Sequence, residues 1–221
     1  HLPAFAQHGK EAITVRHLLT HMSGLRPGIP ANPPWTGIPA AVERACAEKP
    51  QNPPDAAFVY SDINFILLGE IVRLAGGRPL DVHTREEVFG PLRMTDTGFT
   101  PPADKLPRIA PTERVDGRLI HGVVHDPTAR RMGGVAGHAG LFLTAADLAR
   151  FCRMVINGGE LDGVRVLDDR SLNGVFVKIT DEEEIRPGQV FRIGQELLRF
   201  DLVTPPEPMP VVAPDDTARL R

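Results

Sequence analysis

The placement of proline constrains this chain more than any other feature. Its 221 residues include 22 prolines, about twice a usual share of roughly 5%. Pro27, Pro30, Pro33, Pro34 and Pro39 form one cluster, and Pro50, Pro53 and Pro54 form another. Proline lacks the backbone N–H that a helix or sheet interior needs, and its ring clashes with the preceding turn. Regular structure is therefore confined to the stretches between the clusters.

Those stretches carry helical periodicity. Residues 14–22 place Val15, Leu18, Leu19 and Met22 on one face, with Thr14 as N-cap. Residues 40–48 allow a short helix. The strongest pattern is 61–75, where Ile63, Ile66, Leu67, Ile71 and Leu74 repeat at three and four behind the caps Ser61 and Asp62, and Gly76-Gly77 supplies a left-handed exit. A further helix is predicted over 79–89. Residues 90–132 read as mostly irregular, with extended pieces near 119–124. The last helix is 145–157, capped by Thr144 and Asp147, with Leu148, Phe151, Cys152, Val155 and Ile156 as its buried stripe.

Near residue 164 the period changes to short β-type runs: 164–167, 174–179, 189–193 and 196–203. The charge balance changes as well. Residues 1–167 hold 18 Lys+Arg against 17 Asp+Glu and all eight histidines, whereas 168–221 hold 7 against 11. The sequence thus divides into 1–167, 168–203 and a Pro-rich tail, 204–221. A net charge of −3 without a basic block offers nucleic acid no electrostatic hold. No apolar run approaches the roughly 18 residues of a membrane span. Cys46 and Cys152 share no metal or redox spacing and read as buried free thiols. His121 and His125 stand four apart beside Asp126, but in an extended context that does not suit a metal. Gly133-Gly134-x-x-Gly137-x-x-Gly140 lacks the residues and spacing of a nucleotide loop. No cofactor is expected.

Several ordered strings carry a specific likeness: I-T-V-R-H-L-L-T-H-M-S-G-L at 13–25, F-V-Y-S-D-I-N-F at 58–65, P-L-R-M-T-D-T-G-F at 91–99 and V-H-D-P-T-A-R-R-M-G-G-V-A-G-H-A-G-L-F at 124–142. Over 1–167 the chain resembles the serine β-lactamase-related hydrolases, in the group of class C β-lactamases, penicillin-binding proteins and family VIII esterases. The resemblance implies an α+β fold, a helical region with an incomplete antiparallel sheet. It also implies acyl-serine chemistry on a β-lactam, a D-Ala-D-Ala peptide or an ester, with a small-molecule or peptidoglycan-like substrate in a periplasmic or secreted setting. Tyr60-Ser61-Asp62 stands for the family's Tyr-x-Asn motif, and His138-Ala139-Gly140 for its Lys-Thr-Gly or His-x-Gly strand. By that likeness Tyr60 assists proton transfer from the nucleophile. Asp62 holds a lysine or the substrate amide, although an ionised Asp cannot donate a hydrogen bond as Asn does. His138 donates to a substrate oxygen, and Ala139 and Gly140 line the substrate site.

The family's first motif, Ser-x-x-Lys, is missing from the sequence. Ser23, Ser61 and Ser171 are the only serines, and Arg26, Asn64 and Gly174 follow them by three. In the family that motif precedes the 13–25 block, so the nucleophile is expected upstream of His1. The chain also opens without methionine or signal peptide, as a piece of something longer would. Alone it is expected to be inactive. The rival expectation is a non-catalytic binding protein that uses the residual cleft or the C-terminal segment.

Residues 168–203, with Ser171-Leu172-Asn173-Gly174 and Arg186-Pro187-Gly188 turns, resemble the C-terminal half of a forkhead-associated β-sandwich. There Asn173 would buttress a recognition loop, but without the first half's arginine, phosphothreonine-peptide binding is not expected.

Overall fold

A computed structural model describes residues 2–167, together with the backbone of two strands, Val190–Ile193 and Glu196–Arg199. The chain forms two compact units, His1–Val166 and Leu167–Arg221.

The first unit opens with a 3₁₀ turn, Pro3–Phe5, followed by α1, Val15–Leu19. Thr14 caps α1 reciprocally: its Oγ1 accepts from the His17 N–H at 3.3 Å, while the His17 ring Nδ1 accepts from the Thr14 N–H at 3.0 Å. The helix is shorter than its apolar pattern, because His21 turns to a left-handed φ of 56°. Only Leu18 of the expected face is buried. The first proline cluster leads to α2, Ile38–Ala47, with Pro39 in its first turn, where a missing N–H costs nothing. At its far end the buried Lys10 ammonium donates to the carbonyls of Cys46 and Glu48, the latter at 2.6 Å. A cation there suits the negative end of the helix dipole.

Next comes α3, Asp62–Gly76, which ends on Gly77 in the left-handed conformation. Ser61 is its N-cap residue but bonds elsewhere, its Oγ donating to the Arg26 carbonyl at 2.6 Å. Ile63, Ile66 and Leu67 are buried, while Leu74 at the last turn is exposed. These side chains join Leu18, Leu25, Ile29, Ala41, Ala45, Val124, Ala129 and Met132 in the main core. The expected 79–89 helix divides into α4, Leu80–Thr84, and a wider π turn, Arg85–Phe89.

The region from 90 holds more structure than its sequence suggests. Strand β1, Gly98–Phe99, is followed by a 3₁₀ segment, Ala103–Arg108, and a hairpin of β2, Glu113–Val115, with β3, Arg118–Ile120. Then α5, Pro127–Arg131, starts at the N-cap Asp126. Strand β4, Leu141–Phe142, pairs antiparallel with β1.

Helix α6, Ala145–Ile156, is capped by Thr144. Its apolar stripe is not buried as periodicity suggested: Leu148, Phe151, Cys152 and Ile156 are exposed, and Met154 and Asp147 are the buried positions. Asp147 turns inward because its Oδ2 accepts from the Asp96 N–H at 2.9 Å and the Thr97 hydroxyl at 2.8 Å. Arg150 donates to the Leu92 carbonyl. Cys46 is buried, as expected of an inert thiol, and Cys152 is not. The unit closes with the short hairpin of β5, Glu160–Leu161, and β6, Val164–Arg165.

In the second unit β7, Val190–Ile193, pairs antiparallel with β8, Glu196–Arg199, with Val190 opposite Arg199 and Ile193 opposite Glu196. The run expected at 174–179, the turn around Asn173 and the tail lie outside the described residues.

Candidate active site

The start of α3 is fixed by segment 55–62 running beside 21–27. The Asp55, Val59 and Asp62 N–H groups donate to the carbonyls of Met22, His21 and Pro27, at 2.9, 3.0 and 2.7 Å. The His21 ring Nδ1 accepts from the Ser61 N–H at 3.1 Å. Asp62 is thereby set at the first turn of α3.

His138 reaches it from a distant loop between α5 and β4. Gly137 makes that approach possible, since a Cβ there would collide with the Phe65 carbonyl oxygen on α3. Gly140, with φ 111°, turns the chain into β4, and a Cβ there would strike the Gly134 carbonyl. The result is a cluster in which one ligand-type atom each of Asp62, Asp126 and His138 lies within 4.8 Å of the others. The His138 side chain is 3% exposed, and its Nε2 meets Asp126 Oδ1 at 3.0 Å. The same Oδ1 accepts from the Ala129 N–H at 2.6 Å, as the N-cap of α5. His138 Nδ1 is buried without a partner.

The cluster's electrostatics differ from one carboxyl to the other. Burial raises the Asp62 carboxyl above its ordinary value; His138 opposes this and the Asp126 charge reinforces it. Burial acts in the same sense on Asp126, but the Ala129 N–H and the His138 ring together hold it below its ordinary value. Two carboxylates and an imidazole also form a ligand set that suits divalent first-row ions. These are the only residues of such a cluster found among the described residues.

Tyr60 makes a different contact. It is 63% exposed, with its ring 4.7 Å from that of His21 in a tilted stack that also includes Phe65 at 5.2 Å from His21. Burial lowers the His21 imidazole pKa, against the pull of Asp62. Ala139 and Gly140 line a cleft of about 660 Å³ with Asp126, Leu141, Phe142, Lys105 and Arg108. Tyr60, Asp62 and His138 do not line it. Arg108 and Lys105 bond to Asp96 in its wall and hold that carboxyl well below its usual range.

Neither described serine is free to attack a carbonyl. Ser23 is buried, with its Oγ donating to Asn64 Oδ1 at 2.6 Å, and Ser61 is buried on the Arg26 carbonyl. Ser171 lies outside the described residues, as does Asn173. His121 and His125 go separate ways, to the Ile109 carbonyl at 2.8 Å and to Glu113 at 2.6 Å.

Asp126 was not among the site residues expected from sequence. Its one local signal, an Asp just before proline, marks a helix cap. Nothing local shows that the capping carboxylate also holds His138.

A protein of Escherichia coli K12 that carries the name "Putative D-alanyl-D-alanine carboxypeptidase" is 31% identical over 202 residues, 76% of this chain and 45% of that protein. The N-acetylmuramyl-L-alanine amidase of Bacillus subtilis is 38% identical over 129 residues, 51% of this chain and 29% of its own. The chain therefore spans less than half the length of these curated relatives. In fold it is similar to the β-lactamase/D-alanine carboxypeptidase of Pseudomonas syringae (TM-score 0.61, 22% identity, 79% of this chain and 46% of that one). It is also similar to a penicillin-binding protein homologue of Caulobacter crescentus (TM-score 0.57, 22% identity, 90% and 56%). The forkhead-associated reading gains no support, and most of its segment falls inside the match to another family. That match is to the family model described as Beta-lactamase, which covers residues 1–196, and the chain belongs to the β-lactamase family.

Proposed function

We propose that this chain is the part of a serine hydrolase that carries the second and third motifs of the active site. Its substrate is an acyl compound of the D-Ala-D-Ala peptide type. The observation that carries the reading is the meeting of Asp62 and His138, from motifs far apart in sequence, in one half-buried cluster. The name of the E. coli relative, which refers to a D-alanyl-D-alanine carboxypeptidase, supports the substrate class.

In this reading His138 and Asp62 bind and orient the substrate, and Ala139-Gly140 lets the substrate backbone lie close. Tyr60, which stacks beside His21, assists proton transfer from the nucleophile. The nucleophile itself belongs to a Ser-x-x-Lys motif that this sequence does not contain. Loss of the nucleophile from a serine hydrolase costs on the order of 10⁶ in turnover, so the chain by itself is inactive.

Treatment with a fluorophosphonate or a labelled penicillin, followed by intact-mass measurement, tests the reading. No covalent adduct is expected on this chain. Stoichiometric labelling at Ser23, Ser61 or Ser171 would overturn the assignment of the nucleophile to a motif outside it.

A further inference from the structure

We propose that Asp126 is a positioning residue for His138, holding its imidazole with the proton on Nε2 and leaving Nδ1 as a bare acceptor. This does not rest on the hydrolase reading, because it concerns the proton on one ring.

Three observations carry it. Asp126 Oδ1 lies 3.0 Å from His138 Nε2 and already accepts the Ala129 N–H at 2.6 Å. A carboxylate can only accept at these distances, so the ring nitrogen is the donor. The Ala129 bond anchors the carboxylate to the start of α5, and the ring follows that fixed point. A neutral imidazole carries one proton, so with Nε2–H committed to Asp126 the buried Nδ1 has only its lone pair. Neighbours agree with this charge state: the hydrogen bonds that Asp126 accepts favour its ionised form, whereas Asp62, the other carboxyl of the cluster, is pushed toward protonation by burial.

The consequence is chemical. The neutral ring has no donor left over, so its buried Nδ1 can be met only by an N–H or O–H group, and it becomes a donor only in the doubly protonated ring. The expectation from the motif alone, that His138 donates to a substrate oxygen, therefore applies to the cationic ring.

Long-range ¹H–¹⁵N correlation spectra of the full chain, at a pH where its imidazoles are neutral, test the assignment. The His138 signals are identified by their loss in His138→Gln. The native chain is expected to show a pyridine-type Nδ1 and a downfield, exchange-protected proton on Nε2. Asp126→Ser keeps a cap acceptor for the Ala129 N–H but cannot reach the ring, and the protected proton should be lost. Asp126→Asn keeps an acceptor for both donors and should retain it. If Asp126→Ser fails to fold, the native and Asp126→Asn spectra still decide. A proton on Nδ1 in the native chain, or a protected Nε2 proton surviving in folded Asp126→Ser, would overturn the proposal.

Discussion

In the proposed reading Asp62 stands where the family's Tyr-x-Asn pattern has Asn, and its surroundings make that difference measurable. Folding raises its proton affinity above the ordinary value of 3.8. From that value upward through the higher folded one, the native state binds more proton than the unfolded chain, so stability falls as pH rises through this window. Asp62→Asn removes the effect. The melting temperature of Asp62→Asn relative to the native chain should therefore climb between pH 4 and pH 7, as read by thermal denaturation in matched buffers. A native chain that gains on the variant over that range would refute the assignment. Residues 60, 62 and 138 could be singled out in the sequence because each sits inside a long matched string. The roles of Asp126 and His21 were not, since both act through partners distant in sequence: His138 for one, the Ser61 N–H for the other.

At the scale of elements, helix α6 shows what periodicity can and cannot supply. Its limits were readable from Thr144 and Asn157, and its amphipathic pattern from its apolar spacing. The direction of that pattern was not readable. Two polar side chains, Asp147 and Arg150, bond inward to Asp96, Thr97 and Leu92, and the stripe of Leu148, Phe151 and Ile156 turns outward. Two substitutions separate the alternatives. Met154→Ala, at a fully buried position, should cost about 2–5 kcal/mol in urea denaturation. Ile156→Lys, at a position 78% exposed, should change stability by less than about 0.5 kcal/mol. The reverse order would restore the stripe to the interior. The loop that carries His138 depends likewise on one backbone contact, Gly137 against α3. Gly137→Ala should destabilise by roughly 1–3 kcal/mol and shift the His138 resonances, whereas unchanged spectra would mean that the contact does not position the ring.

For the molecule as a whole, the core gathers α1, α2, α3 and α5 around Leu67 and Ile63, and the candidate cluster sits where the first turn of α3 meets the cap of α5. Leu67→Ala should lower the stability of the chain by about 2–5 kcal/mol, measured by the same denaturation. A loss under 1 kcal/mol would mean that α3 is not the centre of the core. Proline spacing by itself determined that this chain builds its helices in the stretches between proline clusters and joins them by loops. The matched strings determined the family, because motif residues are tied to their immediate neighbours along the chain. Tertiary structure alone decided that Asp126 joins Asp62 and His138, that Tyr60 stacks on His21, and that α6 turns its polar side inward. Each of these depends on contacts between residues far apart in sequence, which local spacing does not encode.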